Sequence, residues 1–385
     1  MRFLRSGLAL AFALLAAPAG AADYVPSRQH WERREPAAAG FDPRRLAEAV
    51  AYAQAHADVQ PADMRQVLLD HYGPREPGYR VHGPTKPRVG AAGVVVRHGY
   101  IVAQWGDVAR ADMTFSVAKS YLSSVAGLAL ADGLIGSLDD RLADTVDDGS
   151  YASPHNAPIT WRHMLTQTSD WQGTLWGIPD WADRPEGADR ARWPQRTLYA
   201  PGTRFKYNDV RINALAYALL QVWRKPLPQV LKERVMDPIG ASATWRWTGY
   251  DDSWVDLDGL RMQSVSGGGH FGGGMFVSAL DHARYGLLFL RGGRWGERQV
   301  LPADWIPQVQ RPSPAKDDYG LLWWLNTGRK AVPAAPGSAY WAAGFGGHYI
   351  YVDGAHDLVV VLRWDKDFPG TIARILGALQ AAPER

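Results

Sequence analysis

The sequence predicts a mixed α/β protein: an antiparallel sheet built from both chain ends, flanking helices, and an inserted, mainly helical lobe. Three observations predict it. Gly93 to Gly106 (GVVVRHGYIVAQWG) places two apolar runs around His98-Gly99, a hairpin signal. His348 to Asp353 and Asp357 to Trp364 (HYIYVD, DLVVVLRW) form a second such pair, joined at Gly354-Ala355. Between Asp132-Gly133 and about Leu260 the chain shows helical or irregular segments and no clear strand pair. We therefore expect an α/β lobe over about 22–115 and 270–385 and a helical lobe over about 116–269, together one domain.

The elements follow in order. Arg2 and Arg5 precede the apolar run Leu8 to Ala17, and Ala19-Gly20-Ala21 follows it. Charge, a short apolar core and a small-x-small site predict a secretory leader over 1–21, cleaved near Ala21. The run is too short for a bilayer, and Pro18 breaks it. An exported, periplasmic or secreted protein without stable membrane insertion is expected. Phe41 to His56 has helical spacing after an Asp-Pro start. Gly73 to Pro87 is rich in Pro and Gly. Ser116 to Ala131 predicts a helix of small residues, as suits burial among other elements. Ile212 to Val222 predicts another, Ser278 opens a third, and Thr371 to Ala381 a last one.

Composition excludes several functions. The 385 residues are 46% hydrophobic and 21% charged, which suits a folded chain with a large core. There is no cysteine, so disulfides, thiol chemistry, cysteine-based metal sites and a lipoprotein anchor are ruled out. Losing Arg2 and Arg5 with the leader takes two charges from the formal net +3. No basic block suggests nucleic acid.

Ser116-Val117-Ala118-Lys119 is an S-x-x-K sequence. A serine is a poor nucleophile until a base lies within hydrogen-bond reach. At i and i+3 on a helix the two side chains share a face. Free N–H groups of the first turn and the positive helix end also favour a developing oxyanion. A second copy, Ser313-Pro314-Ala315-Lys316, lies in a polar loop with no apolar helix behind it, and we read it as surface. Pro201-Gly202-Thr203 then turns the chain into Tyr207, ahead of an apolar helix; a tyrosine there can relay the serine proton. Gly267 to Gly272 formally satisfies G-x-G-x-x-G but follows no clear strand, so dinucleotide binding is not expected. Trp171, Trp176, Trp181 and Trp193 cluster between the two motifs, as core or as the wall of an apolar pocket.

Together these residues resemble the serine β-lactamase and D-Ala-D-Ala peptidase superfamily, whose motifs include S-x-x-K. The nearer likeness is to the class C branch, with its esterases and 6-aminohexanoate-dimer hydrolases. Supporting stretches are Thr114-Phe115, Leu138-Asp139-Asp140, Ile159 to Ser169 (ITWRHMLTQTS), Pro201-Gly202-Thr203 and the Gly-rich run before Ser278. The resemblance implies a β-lactamase/transpeptidase-like fold and a serine hydrolase of a small ester or amide. Ser116 would be nucleophile, with Lys119 and Tyr207 moving protons, and no cofactor or metal is implied. In that family the Gly-rich run borders the site, so His270 is expected either to touch substrate or to be a structural histidine; Trp176, from the tryptophan cluster, is the candidate wall residue. Two positions depart from the pattern. Asp209 stands where Y-x-N has asparagine; an acid there would pair with Lys119 and favour its charged form, which leaves open whether Lys119 or Tyr207 is the main base. No K-T-G precedes the last strands; the aligned stretch is Ala342-Ala343-Gly344-Phe345, whose Phe345 N–H would complete an oxyanion hole with that of Ser116. A cell-wall D-Ala-D-Ala peptidase or β-lactamase, or a non-catalytic peptide- or partner-binding member of the fold, are the alternatives. The intact Ser116, Lys119 and Tyr207 set argues against the last.

Overall fold

The computed structural model describes residues 24–380, so the expected leader lies outside the described residues. Strands Ala92–Arg97 and Tyr100–Trp105 pair antiparallel. Between them His98 and Gly99 take φ of +53° and +84°, the positive values that a two-residue turn matched to strand twist requires. Ala92–Arg97 pairs on its other edge with Leu358–Arg363, in the register Val94↔Val361 and Val96↔Val359. His348–Asp353, Tyr340–Gly344 and the short Trp324–Leu325 follow in turn, completing a six-stranded antiparallel sheet drawn from both chain ends.

Strand alternation sends side chains to two cores. Val95, Val360 and Leu362 face helices Pro43–Ala55 and Phe368–Gly377. Val94, Val96, Val359 and Val361 face the helix Ala279–Leu290 and the main core. Gly286 brings that helix directly onto the sheet: a Cβ there would stand 2.6 Å from Val359 Cγ1. Caps set the helix starts. Asp42 accepts from Arg45 N, and Ser278 from Asp281 N. The last helix begins at Phe368 rather than Thr371, because Asp367 caps it by accepting from Gly370 N.

The structure corrects the expectation of no strand pair before Leu260. Arg246–Leu257 and Leu260–Val265 form a long hairpin, turning at Asp258-Gly259. It joins Gly274–Val277 and Asp112–Met113 in a second, four-stranded sheet. A helix that the sequence reading did not anticipate, Met64–Tyr72, is capped by Asp63 and ends before the Pro/Gly-rich stretch. Among the described residues no helix is long and apolar enough to cross a membrane.

The helix Ala118–Ala131 runs through the main core. Its small residues are a packing requirement: a Cβ on Gly127 would run into the fully buried Trp305 indole. In an exposed helix, Gly→Ala would stabilise by about 1 kcal/mol. Here overpacking of about 1–3 kcal/mol should outweigh that gain. Gly127→Ala should therefore lower the melting temperature; a raised one would refute the contact.

Candidate active site

Ser116 lies in a 3₁₀ turn, Phe115–Val117, which leads into Ala118–Ala131 rather than belonging to it. Phe115 takes φ +47°, a sparsely populated conformation for a non-glycine residue. The turn is pinned from below. Thr114 N donates to Met275 O at 3.0 Å, Thr114 Oγ1 pairs with His282 Nε2 at 2.7 Å, and Arg363 Nη1 donates to Met113 O at 2.9 Å. Gly344 lets the end of the strand Tyr340–Gly344 touch this turn, since a Cβ there would collide with the Thr114 carbonyl.

One turn on, the Lys119 ammonium donates to Ser116 Oγ at 2.8 Å and to Asp209 Oδ1 at 2.6 Å. It also lies 4.7 Å from the Tyr207 ring centroid. Tyr207 and Asp209 flank Asn208, the N-cap of the helix Asp209–Trp223. Asn208 N donates to Gln167 Oε1 at 2.9 Å, and Lys206 N to Gln167 O at 2.9 Å. The segment ITWRHMLTQTS thus buttresses the tyrosine turn. Tyr207 stacks on Trp324, with centroids 6.0 Å apart.

Asp209 is the start of a buried ionic chain. Its Oδ2 accepts from Arg184 Nη1 at 2.9 Å, which also reaches Asp183 Oδ1 at 2.5 Å. Arg184 Nη2 donates to His270 Nδ1 at 3.1 Å. A guanidinium only donates, so Nδ1 accepts and the ring hydrogen sits on Nε2, which donates to Glu76 Oε2 at 2.8 Å. Burial, then the Arg184 charge, pushes the His270 pKa down, consistent with a neutral ring. Burial alone would raise Asp209, but the charges of Lys119 and Arg184 outweigh it and hold its carboxyl well below the usual range. Asp183 moves the other way, raised by burial against the pull of Arg184. Glu76, Asp183 and His270 bring three potential metal-ligand atoms within 4.8 Å of one another. Here the Arg184 guanidinium and the His270–Glu76 bond engage those atoms.

A pocket of about 230 Å³ opens over Ser116. Tyr207, Arg184, His270 and Gly344 line it with Phe345, and Leu68, Tyr72, Phe115 and Trp324 make it largely apolar. The structure thus brings together Ser116, Lys119, Tyr207, Asp209, His270, Gly344 and Phe345. Trp176 is not among the lining residues; it packs edge-on against Tyr217, with centroids 5.3 Å apart. Trp171 is core, and Trp181 and Trp193 line a separate cavity of about 430 Å³. Ser313 is buried, not on the surface as expected; it makes no bond to Lys316 Nζ, which pairs with Asp318 at 2.6 Å. Sequence reading missed Arg184, Asp183, Glu76, Leu68, Tyr72 and Trp324, none of which carries a local motif.

The family model described as Beta-lactamase matches residues 80–382. No curated protein matches the chain in sequence. Among solved structures, EstCE1, a hydrolase with promiscuous acyltransferase activity, is 17% identical with a TM-score of 0.57, covering 88% of this chain and 99% of that one. A family VIII carboxylesterase is 16% identical with a TM-score of 0.56, covering 87% and 96%. A Bacillus anthracis protein provisionally assigned as a 6-aminohexanoate-dimer hydrolase is 15% identical with a TM-score of 0.53, covering 92% and 97%. At such identities the likeness is one of fold.

Two tests follow from the geometry. Ser116→Ala should abolish labelling by a fluorophosphonate probe, and Ser313→Ala should leave it intact, with the labelled residue located by mass spectrometry. A Cβ on Gly268 would fall on Asp209 Oδ1 and Lys119 Nζ. Gly268→Ala should slow labelling of Ser116 by about 10²-fold, the order expected when a reacting group is displaced by an ångström. A normal labelling rate in that variant would show that the Lys119–Asp209 pair is dispensable.

Proposed function

This chain belongs to the β-lactamase family of hydrolases, and we propose that within it the chain is a serine esterase or amidase of the class C-like type, acting through an acyl-enzyme on Ser116. The observation that carries this reading is the 2.8 Å bond from Lys119 Nζ to Ser116 Oγ at a pocket that Tyr207 also lines. Ser116 Oγ attacks the carbonyl carbon. Lys119 is ion-paired with Asp209, so its ammonium orients Oγ, and Tyr207, acting as the phenolate, takes the serine proton and becomes the neutral phenol. Tyr207 then gives that proton to the leaving oxygen or nitrogen. The N–H groups of Ser116 and Phe345 meet the negative oxygen of the tetrahedral intermediate. Water hydrolyses the acyl-enzyme by the same steps reversed. An exported site of action belongs to this proposal and rests on the leader-like residues 1–21.

The substrate class is argued from charge and size. The strand that would carry K-T-G carries Ala342-Ala343-Gly344, with no lysine to hold a carboxylate. Losing one charge-assisted hydrogen bond costs about 1.5–3 kcal/mol, or about ten- to a hundredfold in discrimination. Among the described residues lining the pocket, Arg184 is the one charged side chain, and Asp183 and Asp209 already balance it at 2.5 and 2.9 Å. Short neutral esters therefore fit best, linear amides with alkyl chains next, and β-lactams least.

Two measurements test this. On one preparation, kcat/KM should fall in the order p-nitrophenyl acetate or butyrate, 6-aminohexanoate dimer, nitrocefin; nitrocefin turning over faster than the ester would restore β-lactamase as the primary activity. Tyr207→Phe should lower kcat by about 10²-fold or more, the typical contribution of a general base. A near-wild-type rate would show that Lys119 works without the tyrosine.

A further inference from the structure

Two side chains of the Ser116 pocket, Leu68 and Tyr72, come from the helix Met64–Tyr72. That helix precedes residue 80, where the match to the family begins. Both side chains are buried, so they are packed wall and not solvent-facing decoration. The Tyr72 ring lies 4.0 Å from the His270 ring and 5.7 Å from that of Phe345.

The wall is fastened along its length. Just beyond the helix, Glu76 Oε2 accepts from His270 Nε2 at 2.8 Å, and Glu76 Oε1 accepts from Arg184 N at 3.2 Å. Tyr79 OH donates to His270 O at 2.6 Å, and His82 N donates to Phe271 O at 2.8 Å. A segment tied at each of these points does not swing away to admit a larger group. It narrows the pocket to about 230 Å³, below the roughly 300–1,000 Å³ usual for small-molecule sites.

We propose that Leu68 and Tyr72 are specificity-determining residues that restrict the acyl group on Ser116 to short chains of the acetyl-to-butyryl class. This rests on the reading of Ser116 as the nucleophile of an esterase. The substrate's acyl chain lies against the Tyr72 and Phe345 rings, Leu68 fills the layer behind them with no exposed surface of its own, and a longer chain meets the Tyr72 ring. In an apolar pocket a size mismatch of one methylene is worth about 10–200-fold in kcat/KM, so the wall should discriminate sharply.

The experiment compares p-nitrophenyl acetate, butyrate and octanoate on the wild-type protein, Tyr72→Ala and Leu68→Ala, each shown to melt cooperatively. In the wild type, kcat/KM should drop at least about tenfold from butyrate to octanoate. Tyr72→Ala should raise the octanoate-to-butyrate ratio by about tenfold or more, and Leu68→Ala, the smaller truncation, should raise it less. A merely structural role would lower both rates together and leave the ratio unmoved. Leu68→Ala carries the test if Tyr72→Ala does not fold. Equal use of octanoate and butyrate by the wild type, or an unchanged ratio in the folded variants, would overturn the proposal. Failure of the underlying esterase reading looks different: no ester is hydrolysed, or probe labelling survives Ser116→Ala.

Discussion

Lys119 and Asp209 face one another at 2.6 Å with side chains 2% and 1% exposed. A buried ion pair persists only where its remaining donors and acceptors are satisfied as well. Much of the pocket's surroundings can be traced to that requirement. The second Asp209 oxygen needs a donor, which Arg184 supplies from a distant loop. Arg184 brings a new positive charge to the pocket wall, and the fully buried Asp183 answers it. Its Nη2 ends on His270, whose opposite nitrogen ends on Glu76. Charge is handed outward from the serine until it reaches groups that balance it.

That demand falls on the backbone. Arg184 takes φ +49° to turn its side chain inward, and Phe115 takes φ +47° to present Ser116. Each such residue costs on the order of 1–3 kcal/mol and persists only where its surroundings over-determine it. Gly268 must lack a side chain because the Lys119–Asp209 contact occupies that space. Removing one partner of a buried pair destabilises by about 3–5 kcal/mol, because the other charge is left unmatched. The arrangement therefore specifies a geometry more than it adds stability: each member has one place where it is satisfied.

What was legible in the chain follows from how local each contact is. Ser116 and Lys119 are three residues apart, so helical geometry alone joins them. Tyr207 and Asp209 stand in a turn whose Pro-Gly signal is also local. Asp209 was further legible as a departure from a pattern, and its pairing with Lys119 spans 90 residues. The His270–Glu76 contact spans 194 residues, and no periodicity encodes it. The same holds for Arg184 and for Trp324, which lines the pocket instead of the clustered tryptophans. Composition marks a tryptophan as apolar surface but not the cavity it faces. The hairpin Arg246–Leu257 with Leu260–Val265 is another case. Its Asp258-Gly259 turn is a recognisable signal, yet Asp251, Asp252 and Asp256 interrupt the apolar alternation because that part of the strand faces solvent.

The Ser116 turn and the wall over it answer to different physics. Ser116, Lys119, Tyr207 and Asp209 all fall within residues 80–382, the span that matches the family. Their positions depend on charge and hydrogen-bond geometry, which leave little room for substitution. Leu68 and Tyr72 precede that span and, in the role proposed for them, would act by volume, which apolar side chains of several shapes can supply. The two regimes nonetheless meet at His270. Its neutral ring links Arg184 to Glu76 by hydrogen bonds and carries the Tyr72 ring 4.0 Å away. Displacing Glu76 would take away the 2.8 Å acceptor of the Nε2 hydrogen, with Asp183 Oδ1 the next at 3.6 Å, a loss of about 1–3 kcal/mol. The imidazole would then be free to shift, and the pocket wall with it. On the proposed reading of the wall, the size of the group admitted to Ser116 would in this way be fastened to the charge balance that positions Lys119.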